Sequence, residues 1–310
     1  MRKGLYILAA AAVLAGADAF AQDAIPANEA MELLSYTRDA VQEGMAGAGS
    51  ASTSATSAFA SLSNPAVLPL AVKKLSAGLS YGSWAPASVN TRSNNFGMGV
   101  SLGLGKRVGI NVAAVYQARP SRDFGGSYGT YAPSDIMVAA GAGVAFNSWL
   151  SAGVSVKFAQ QAILPDYKVS ATAFTAMLQM HKGGLDVAAG VANVGGGVKS
   201  ESGSVSPLPA SARLAVDYST NLGPVNLGAA VDGDYWFSGK FGVSAGLRAG
   251  FLKFFSLRAG YHYASQGAVV PSHFSAGAGI RFFGIGLDFA YVGGNPQIGN
   301  SILAQLTYKF

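Results

Sequence analysis

The chain has 310 residues, of which 50% are hydrophobic and only 12% are charged, with 41 glycines, no cysteine and a net charge of +6. Soluble domains usually have about a quarter of their residues charged, so this composition favours a large buried core or a surface in lipid. The missing cysteines exclude a disulfide framework and a lipid-anchored cysteine. Lys and Arg are scattered without a basic stripe, which argues against nucleic acid as a partner.

The first 21 residues have the three parts of a secretory signal peptide. Arg2 and Lys3 precede an apolar run over 5–15, and residues 19–21, Ala-Phe-Ala, form a small-x-small cleavage site before Gln22. We expect an exported protein whose mature chain begins near Gln22. After residue 21 no stretch supplies the roughly 18 to 20 apolar residues of a spanning helix, which leaves a closed β-barrel as the way to cross a membrane.

Residues 22–72 are predicted to form a helix and a plug segment in the lumen of that barrel. We expect a short helix over 27–42 at the periplasmic mouth, with Asn28 as a candidate N-cap. The stretch 44–68 is small and polar like a linker, but it carries buried-type side chains and ends in an Asn-Pro turn. The ordered plug is therefore preferred to a flexible linker, with the motif residues Gly44, Met45, Gly47, Gly49, Phe59, Asn64, Pro65 and Ala66.

From residue 73 onward the sequence alternates between an apolar face and a small or charged face, which is typical of β-strands. Fourteen strands are predicted, at 73–84, 94–104, 107–118, 133–146, 149–160, 169–181, 185–195, 210–219, 224–235, 240–250, 254–265, 272–282, 285–293 and 300–310. Short connections follow the even strands and longer ones tend to follow the odd strands, as in outer-membrane barrels. A soluble sandwich or propeller would also alternate, but its outward faces would be polar.

The final strand ends on aromatic residues, and we predict that Tyr308 and Phe310 form the signal read by the outer-membrane insertion machinery. The predicted fold is thus all-β, a transmembrane antiparallel barrel of about fourteen strands over 73–310 with an N-terminal plug. Its predicted location is the bacterial outer membrane, in contact with lipid.

The alternation of inward and outward positions along the strands places ten charged side chains in the lumen. Two interpretations stay open: an internal lattice of ion pairs that stiffens the barrel, because buried charge is usually paired, or a path that guides a substrate. The residues are Lys157, Arg213, Asp217, Asp232, Asp234, Arg248, Arg258, Arg281, Asp288 and Lys309.

No enzymatic site is predicted. Gly-x-Ser-x-Gly occurs at 78–82, 99–103 and 242–246, but each copy lies inside an alternating strand and lacks the strand-to-helix turn of a hydrolase. The three histidines do not have metal-ligand spacing, and no phosphate-binding loop follows the triple glycine at 195–197. We expect no metal and no cofactor.

Several motifs resemble known outer-membrane proteins. Residues 44–49, Ala58-Phe59 and 64–66 are similar to the N-terminal signature of the FadL-like superfamily, in which a Gly-Met-Gly-Gly-Ala start leads to Asn-Pro-Ala. Residues 190–195 and 257–261, together with Leu208-Pro209, Arg213 and Asp234-Tyr235, resemble features of its PorV/PorQ branch. The chain departs from these patterns at Ala46 and Asp234, where Gly and Glu are expected.

The resemblance implies a fourteen-stranded barrel with its N-terminal segment folded inside. PorV and PorQ hold protein partners in type IX secretion, whereas FadL-type members carry hydrophobic small molecules such as long-chain fatty acids. The short outer loops favour the PorV/PorQ interpretation, with loops 119–132 and 196–209 as partner surfaces. The alternative is a FadL-like transporter, with a pocket of Leu33, Leu34, Met45 and Phe59 and with Arg213 or Arg258 for a carboxylate.

Overall fold

The computed structural model describes residues 29–37, 39–54, 57–84, 92–126, 129–199, 203–296 and 298–310. The predicted signal peptide and Asn28 lie outside the described residues. Within them, fourteen long strands form one closed antiparallel barrel, so the predicted fold class is confirmed.

The fourteen barrel strands match the predicted ones to within a few residues at each end. The largest difference is in the eighth strand, which continues to Leu222 because Gly223, with a φ of 61°, makes the turn. The strands are β1 Leu75–Trp84, β2 Ser93–Leu104, β3 Val108–Ala118, β4 Ser134–Ala145, β5 Leu150–Ala162, β6 Lys168–Lys182, β7 Leu185–Val194, β8 Ser211–Leu222, β9 Val225–Trp236, β10 Phe241–Phe251, β11 Phe255–Ala264, β12 His273–Phe282, β13 Ile285–Gly293 and β14 Ser301–Lys309.

Each strand pairs with its neighbours in sequence, and β1 pairs with β14 to close the barrel, from Ser76 opposite Lys309 to Ser83 opposite Ile302. The connections after even strands are tight turns, and we call that rim the short-turn end. The opposite rim, the long-loop end, includes small hairpins of Arg122–Asp123 with Thr130–Tyr131 and of Val198–Lys199 with Val205–Ser206. In outer-membrane barrels the short turns face the periplasm.

The two faces of the wall differ as the alternation predicts. Large apolar side chains point outward and are about half exposed, such as Leu79 at 55%, Val154 at 61% and Leu214 at 56%. The inward positions are buried and mostly small or polar, such as Ser101 and Ser151. An apolar outer surface with a polar interior is the reverse of a soluble sandwich and fits a barrel in lipid.

The described residues of the segment 29–72 lie inside the barrel and contain little regular structure. Its elements are the 3₁₀ turns Glu32–Leu34, Ala60–Leu62 and Pro65–Val67 and two single-turn helices, α1 Ala40–Glu43 and α2 Leu68–Ala71. The predicted helix over 27–42 is therefore wrong for the described residues. Only its last turn is α-helical, with the Asp39 side chain accepting the backbone N–H of Val41 at 2.8 Å.

The start of this segment also lies at the opposite rim from the one predicted. The backbone N–H of Ala30 donates to the carbonyl of Pro207 at 2.8 Å, and Lys240 Nζ lies 3.1 Å from a Glu29 carboxylate oxygen. Pro207 and Lys240 belong to connections of the long-loop end, whereas α2 reaches the short-turn end just before β1. The segment therefore runs through the lumen from the long-loop end to the short-turn end.

None of the helices in the described part of the chain has the length and hydrophobicity to span a bilayer.

Candidate functional site

The plug backbone is held by side chains of the barrel wall. Asn111 on β3 uses both ends of its amide: Oδ1 accepts the N–H of Ser61 at 2.9 Å and Nδ2 donates to the carbonyl of Ala58 at 2.8 Å. Gln179 on β6 donates to the carbonyl of Ala51 at 2.8 Å. Buried backbone groups need hydrogen-bond partners, and this segment has too little secondary structure to supply them. Polar wall residues therefore take the place of a helix or a sheet.

Glycines of the wall give the plug room to lie directly on the sheet. A Cβ on Gly99 would collide with the carbonyl of Ala58, and a Cβ on Gly260 would collide with the backbone of Met45. A Cβ on Gly143 would lie 2.6 Å from the carbonyl oxygen of Pro65. The inward glycines that alternate with apolar residues are thus contact sites for the plug.

The first part of the predicted plug motif makes a sharp bend in the lumen. Gly44 packs against Gly277, and Met45 is fully buried. Ala46, Gly47 and Gly49 then have φ values of 56°, 86° and 96°. Glycine adopts such left-handed conformations more readily than other residues. This is a physical reason for glycine at position 46 in the FadL-like pattern, where this chain has alanine.

The second part of the motif is a fixed turn onto the wall. Phe59 is buried against the inward surface at Gly78. Asn64 accepts the N–H of Ala66 at 3.0 Å and donates to Gln179 Oε1 at 2.9 Å. Pro65 starts the following 3₁₀ turn, so Asn64 caps that turn while it binds the wall.

The predicted lumen charges serve three different purposes. Three cross-strand ion pairs form: Arg213 Nε to Asp234 Oδ1 at 3.0 Å, Arg248 Nη1 to Asp217 Oδ2 at 2.5 Å, and Arg258 Nη2 to Asp288 Oδ1 at 2.7 Å. The lattice interpretation accounts for these six residues.

Two other predicted charges bind the plug, and two line the short-turn end. Lys157 donates to the carbonyl of Leu62 and to Asn193 Oδ1, both at 2.7 Å. Asp232 accepts backbone N–H groups of the plug. Arg281 and Lys309 are half-buried near the short-turn rim, and no ion pair joins either of them to another described residue.

Asn193 is a plug-binding residue that the alternation does not predict. Its φ of 56° accompanies a register shift between β6 and β7, so that Ala192 and Asn193 are both buried although they are consecutive. Its Nδ2 donates to the carbonyl of Leu34 at 3.1 Å. Such a β-bulge changes the direction of one side chain. The available sequence signal for it was an Asn between glycines near the end of a predicted strand.

At the long-loop end a cavity of about 80 Å³, lined by both apolar and charged side chains, lies between plug and wall. Its lining includes Asp39 and Glu43 of the plug and Arg213, His262 and His273 of the wall. Burial raises the pKa of Asp39 to about 7, although the hydrogen bond from Val41 opposes the rise. Among the described residues, no group of three His, Asp or Glu side chains is arranged to hold a metal ion.

At the short-turn end a second cavity of about 580 Å³ lies on the other side of the plug. Val41 and Ser54 line it from the plug, and Arg248, Arg258 and Arg281 line it from the wall. The plug segment 39–54 therefore separates the two cavities, with residues of α1 facing each of them.

The apolar pocket predicted from Leu33, Leu34, Met45 and Phe59 forms only in part, because Leu34 and Phe59 line the long-loop cavity whereas Leu33 and Met45 do not. Leu33 and Leu34 pack in a cluster with Met31, Val115 and Met137, Met45 packs with Ala48 and Ala230, and Phe59 packs with Ala58 and Ala113. The path of the plug buries Leu33 and Met45 in separate clusters away from this cavity, and strand periodicity contains no information about that path. Of the two candidate arginines, Arg213 lines the long-loop cavity and Arg258 the short-turn cavity.

The C-terminal residues complete the wall. Tyr308 points outward, and Phe310 exchanges backbone hydrogen bonds with Leu75 of β1. The Nζ of Lys74 lies 4.2 Å from the centre of the Phe310 ring. The predicted role of Tyr308 and Phe310 in membrane insertion stays a prediction.

The closed barrel, its apolar outer face and its internal plug define the class of protein: an integral outer-membrane β-barrel. No protein-family model and no curated protein matches the sequence. The fold is that of FadL-type barrels. A FadL homologue of Pseudomonas aeruginosa superposes with a TM-score of 0.61 at 13% identity, covering 89% of this chain and 99% of that chain.

Two transporters of known structure are similar to the same extent. The toluene transporter TbuX of Ralstonia pickettii has a TM-score of 0.59 at 13% identity, covering 88% of this chain and 98% of its own. The toluene transporter TodX of P. putida has a TM-score of 0.59 at 14% identity, covering 89% and 98%. At these identities the likeness concerns the fold.

Proposed function

We propose that this protein is a non-enzymatic, FadL-like transporter that carries hydrophobic small molecules across the outer membrane, with residues 39–54 as its gate. The observation that supports this most directly is the division of the lumen. One segment of the plug separates a cavity at the long-loop end from a cavity at the short-turn end. Displacement of this segment would join the two into a passage.

The way the gate is held suits a segment that moves. Between Gly44 and Ser54 the plug contains no helix of more than one turn, and its backbone is bonded to wall side chains such as Ser275, Asp232 and Gln179. Such bonds can be exchanged for bonds to water one at a time, each at a net cost of about 1 kcal/mol. The toluene transporters with the same fold agree with a hydrophobic cargo.

An engineered disulfide between plug and wall tests the gate. Ala48 and Ala230 are fully buried in one cluster, and the chain has no cysteine of its own. We expect cells that express the double variant Ala48→Cys/Ala230→Cys to take up toluene or a long-chain fatty acid only after reduction. Each single cysteine variant is a matched control and should take up solute under both conditions.

Uptake that is unchanged when the disulfide is shown to be closed would contradict the gate. Uptake no greater than that of cells without the protein, for both classes of solute, would contradict transport altogether.

A second candidate function is the PorV/PorQ-like one, in which the barrel holds a secretion partner. It is favoured by the close filling of the lumen at the long-loop end, since the plug packs on the wall glycines and the long-loop cavity has only about 80 Å³. The long-loop hairpins also expose Phe124 and Val205 at 39% and 52%. Native mass spectrometry of the purified barrel separates the two functions: a copurifying lipid without a protein partner opposes secretion, and a stable protein partner opposes transport.

A further inference from the structure

An apolar groove of about 600 Å³ lies on the lipid-facing side of the wall, across the seam where β14 meets β1. Ala77 points outward there between two larger residues that lie directly opposite it, Tyr308 of β14 and Val100 of β2. A second groove of about 560 Å³ follows along β1, and the two grooves share Leu79 and Met98 as a border. We call the two grooves together the seam furrow. It starts near the short-turn end.

The plug closes the seam furrow on its inner side. Gly78 and Gly99 line the first groove, and the ring of Phe59 lies against both of them from the lumen. A molecule in this groove therefore contacts the outside of the wall, and its binding does not require the plug to move.

Exposed cations lie at the short-turn end of the seam furrow. Lys73 and Lys74 precede β1, and Lys106 and Arg107 belong to the neighbouring turn between β2 and β3. The N–H of Gly103 donates to the carbonyl of Lys74 at 2.9 Å, which holds the two segments side by side. None of the four cations forms an ion pair with another described residue.

Acidic side chains do not offset this charge at the rim. Asp186 and Asp288 lie near the short-turn ends of their strands, but they point into the lumen, where they bind Thr53 and Arg258. The described short turns contain no Asp or Glu, at 105–107, 146–149, 183–184, 223–224, 252–254 and 283–284. The outside of this rim is therefore basic and lacks an anionic partner among the described side chains.

Lys74 connects the charge of the rim to the apolar groove. Its Nζ lies 4.2 Å from the centre of the Phe310 ring. Phe310 is exposed and follows two residues after Tyr308, which lines the groove. Lysine at a membrane surface lays its apolar stem along apolar groups and keeps its ammonium group at the level of the head groups. The ammonium group of Lys74 is thus placed at the rim end of the groove.

We propose that the seam furrow holds an anionic glycerophospholipid, with an acyl chain in the grooves and the phosphate beside Lys74 and the β2–β3 turn. Lys and Arg near a membrane surface attract anionic lipids, and a groove gives an acyl chain more van der Waals contacts than a flat wall does. Because short turns face the periplasm, the lipid belongs to the periplasmic leaflet. The inference is independent of the proposed transport, since the lipid stays outside the lumen.

Native mass spectrometry of the full-length barrel in non-ionic detergent, titrated with phosphatidylglycerol or phosphatidylethanolamine, measures the affinity for each lipid. We expect phosphatidylglycerol to bind at least tenfold more tightly, because its negative charge is not balanced by an amine. The double variant Lys74→Gln/Arg107→Gln should weaken phosphatidylglycerol at least tenfold and remove this preference. Ala77→Phe, which fills the groove, should weaken both lipids at least fivefold.

Two control variants change the same residue types on the opposite side of the barrel. Lys182→Gln removes an exposed cation at the β6–β7 turn, and Ala189→Phe enlarges an outward alanine of β7. Both should bind phosphatidylglycerol as the wild type does. Equal affinity of the wild type for the two lipids would overturn the proposal. Unchanged binding in Ala77→Phe or in the double variant, or an equal loss in the controls, would also overturn it, because the lipid would then lie elsewhere on the wall.

Discussion

The carboxylate of Asp232 accepts the backbone N–H of Gly49 at 2.8 Å. Its other oxygen accepts the N–H of Ser50 at 3.1 Å. The two donors are consecutive in the chain, and they converge on one carboxylate because Gly49 has a φ of 96°. Successive N–H groups in such a turn form an anion-binding concavity, so this contact fixes the middle of the gate to β9.

Replacement of Asp232 should release the gate from the wall. Asp232→Ala leaves two buried N–H groups without acceptors, at a net cost of about 2 kcal/mol. We expect proteinase K to cut the variant between Gly44 and Leu62 while the wild-type barrel resists. Asp123→Ala, at an exposed loop position, is the control. Ready cleavage of the wild type in that segment would instead indicate a flexible linker.

A single methyl group on the wall should displace the plug. In Gly260→Ala the new Cβ overlaps the backbone of Met45, and overpacking of this kind costs about 1–3 kcal/mol. The matched control is Gly233→Ala, whose Cβ would meet only the carbonyl oxygen of Leu214, at 3.9 Å. Conductance in planar bilayers should rise for Gly260→Ala only. Equal conductance of the two variants would contradict close contact between plug and wall.

Burial of Asp39 should make stability depend on pH. Its pKa is about 7 in the folded barrel and 3.8 in the unfolded chain, so between these values only the folded state holds the proton. The contribution of Asp39 to stability therefore falls as pH rises from about 4 to about 7 and is constant above that. Asp39→Asn keeps the helix cap and removes the titration.

Urea unfolding in detergent at pH 4.5, 6 and 8 measures this effect. The stability of Asp39→Asn relative to wild type should increase with pH across the series. Asp123→Asn, which changes an exposed carboxylate, should show a constant difference. A difference for Asp39→Asn that does not vary with pH would contradict the raised pKa.

Lys157 and Asn193 should be energetically coupled. Lys157→Met and Asn193→Ala each break the 2.7 Å bond between Nζ and Oδ1, so the double variant should lose less than the sum of the singles, by about 1 kcal/mol or more. A control cycle of Lys157→Met with Asn226→Ala, which is exposed, should be additive. Additivity in both cycles would mean that the bond adds nothing to stability.

The C-terminal residue should affect assembly more than stability. Phe310→Ser removes the aromatic end but not the backbone bonds to Leu75, so we expect slow insertion into the membrane and a normal melting temperature once folded. Heat-modifiable mobility on gels over time measures insertion. Phe283→Ser, at an exposed turn position, is the aromatic control, and equal delay in both variants would argue against a specific signal.

The sequence by itself determined the barrel. An apolar residue at every second position is a local property of each strand, so fourteen strands and their inward charges were predictable without any long-range contact. The glycine-rich motif at 44–49 and the turn at Asn64 likewise indicated an ordered plug. The inward polar residues Asn111 and Gln179 could have been found in the same way, since a polar side chain inside a strand needs a partner.

Only the tertiary structure decided where the plug runs and what it separates. Its path depends on hydrogen bonds to side chains of many different strands, some of them distant in sequence. Asp232 accepts the N–H of Gly49, and Gln305 Oε1 accepts the N–H of Ala40 at 2.6 Å. The same long-range contacts overrode the helix predicted over 27–42 and divided the predicted apolar pocket. The bulge that turns Asn193 inward breaks the alternation itself. Strand periodicity predicts whether a residue points inward or outward. The path of the plug and the shape of the cavities depend on long-range contacts between plug and wall, which periodicity does not contain.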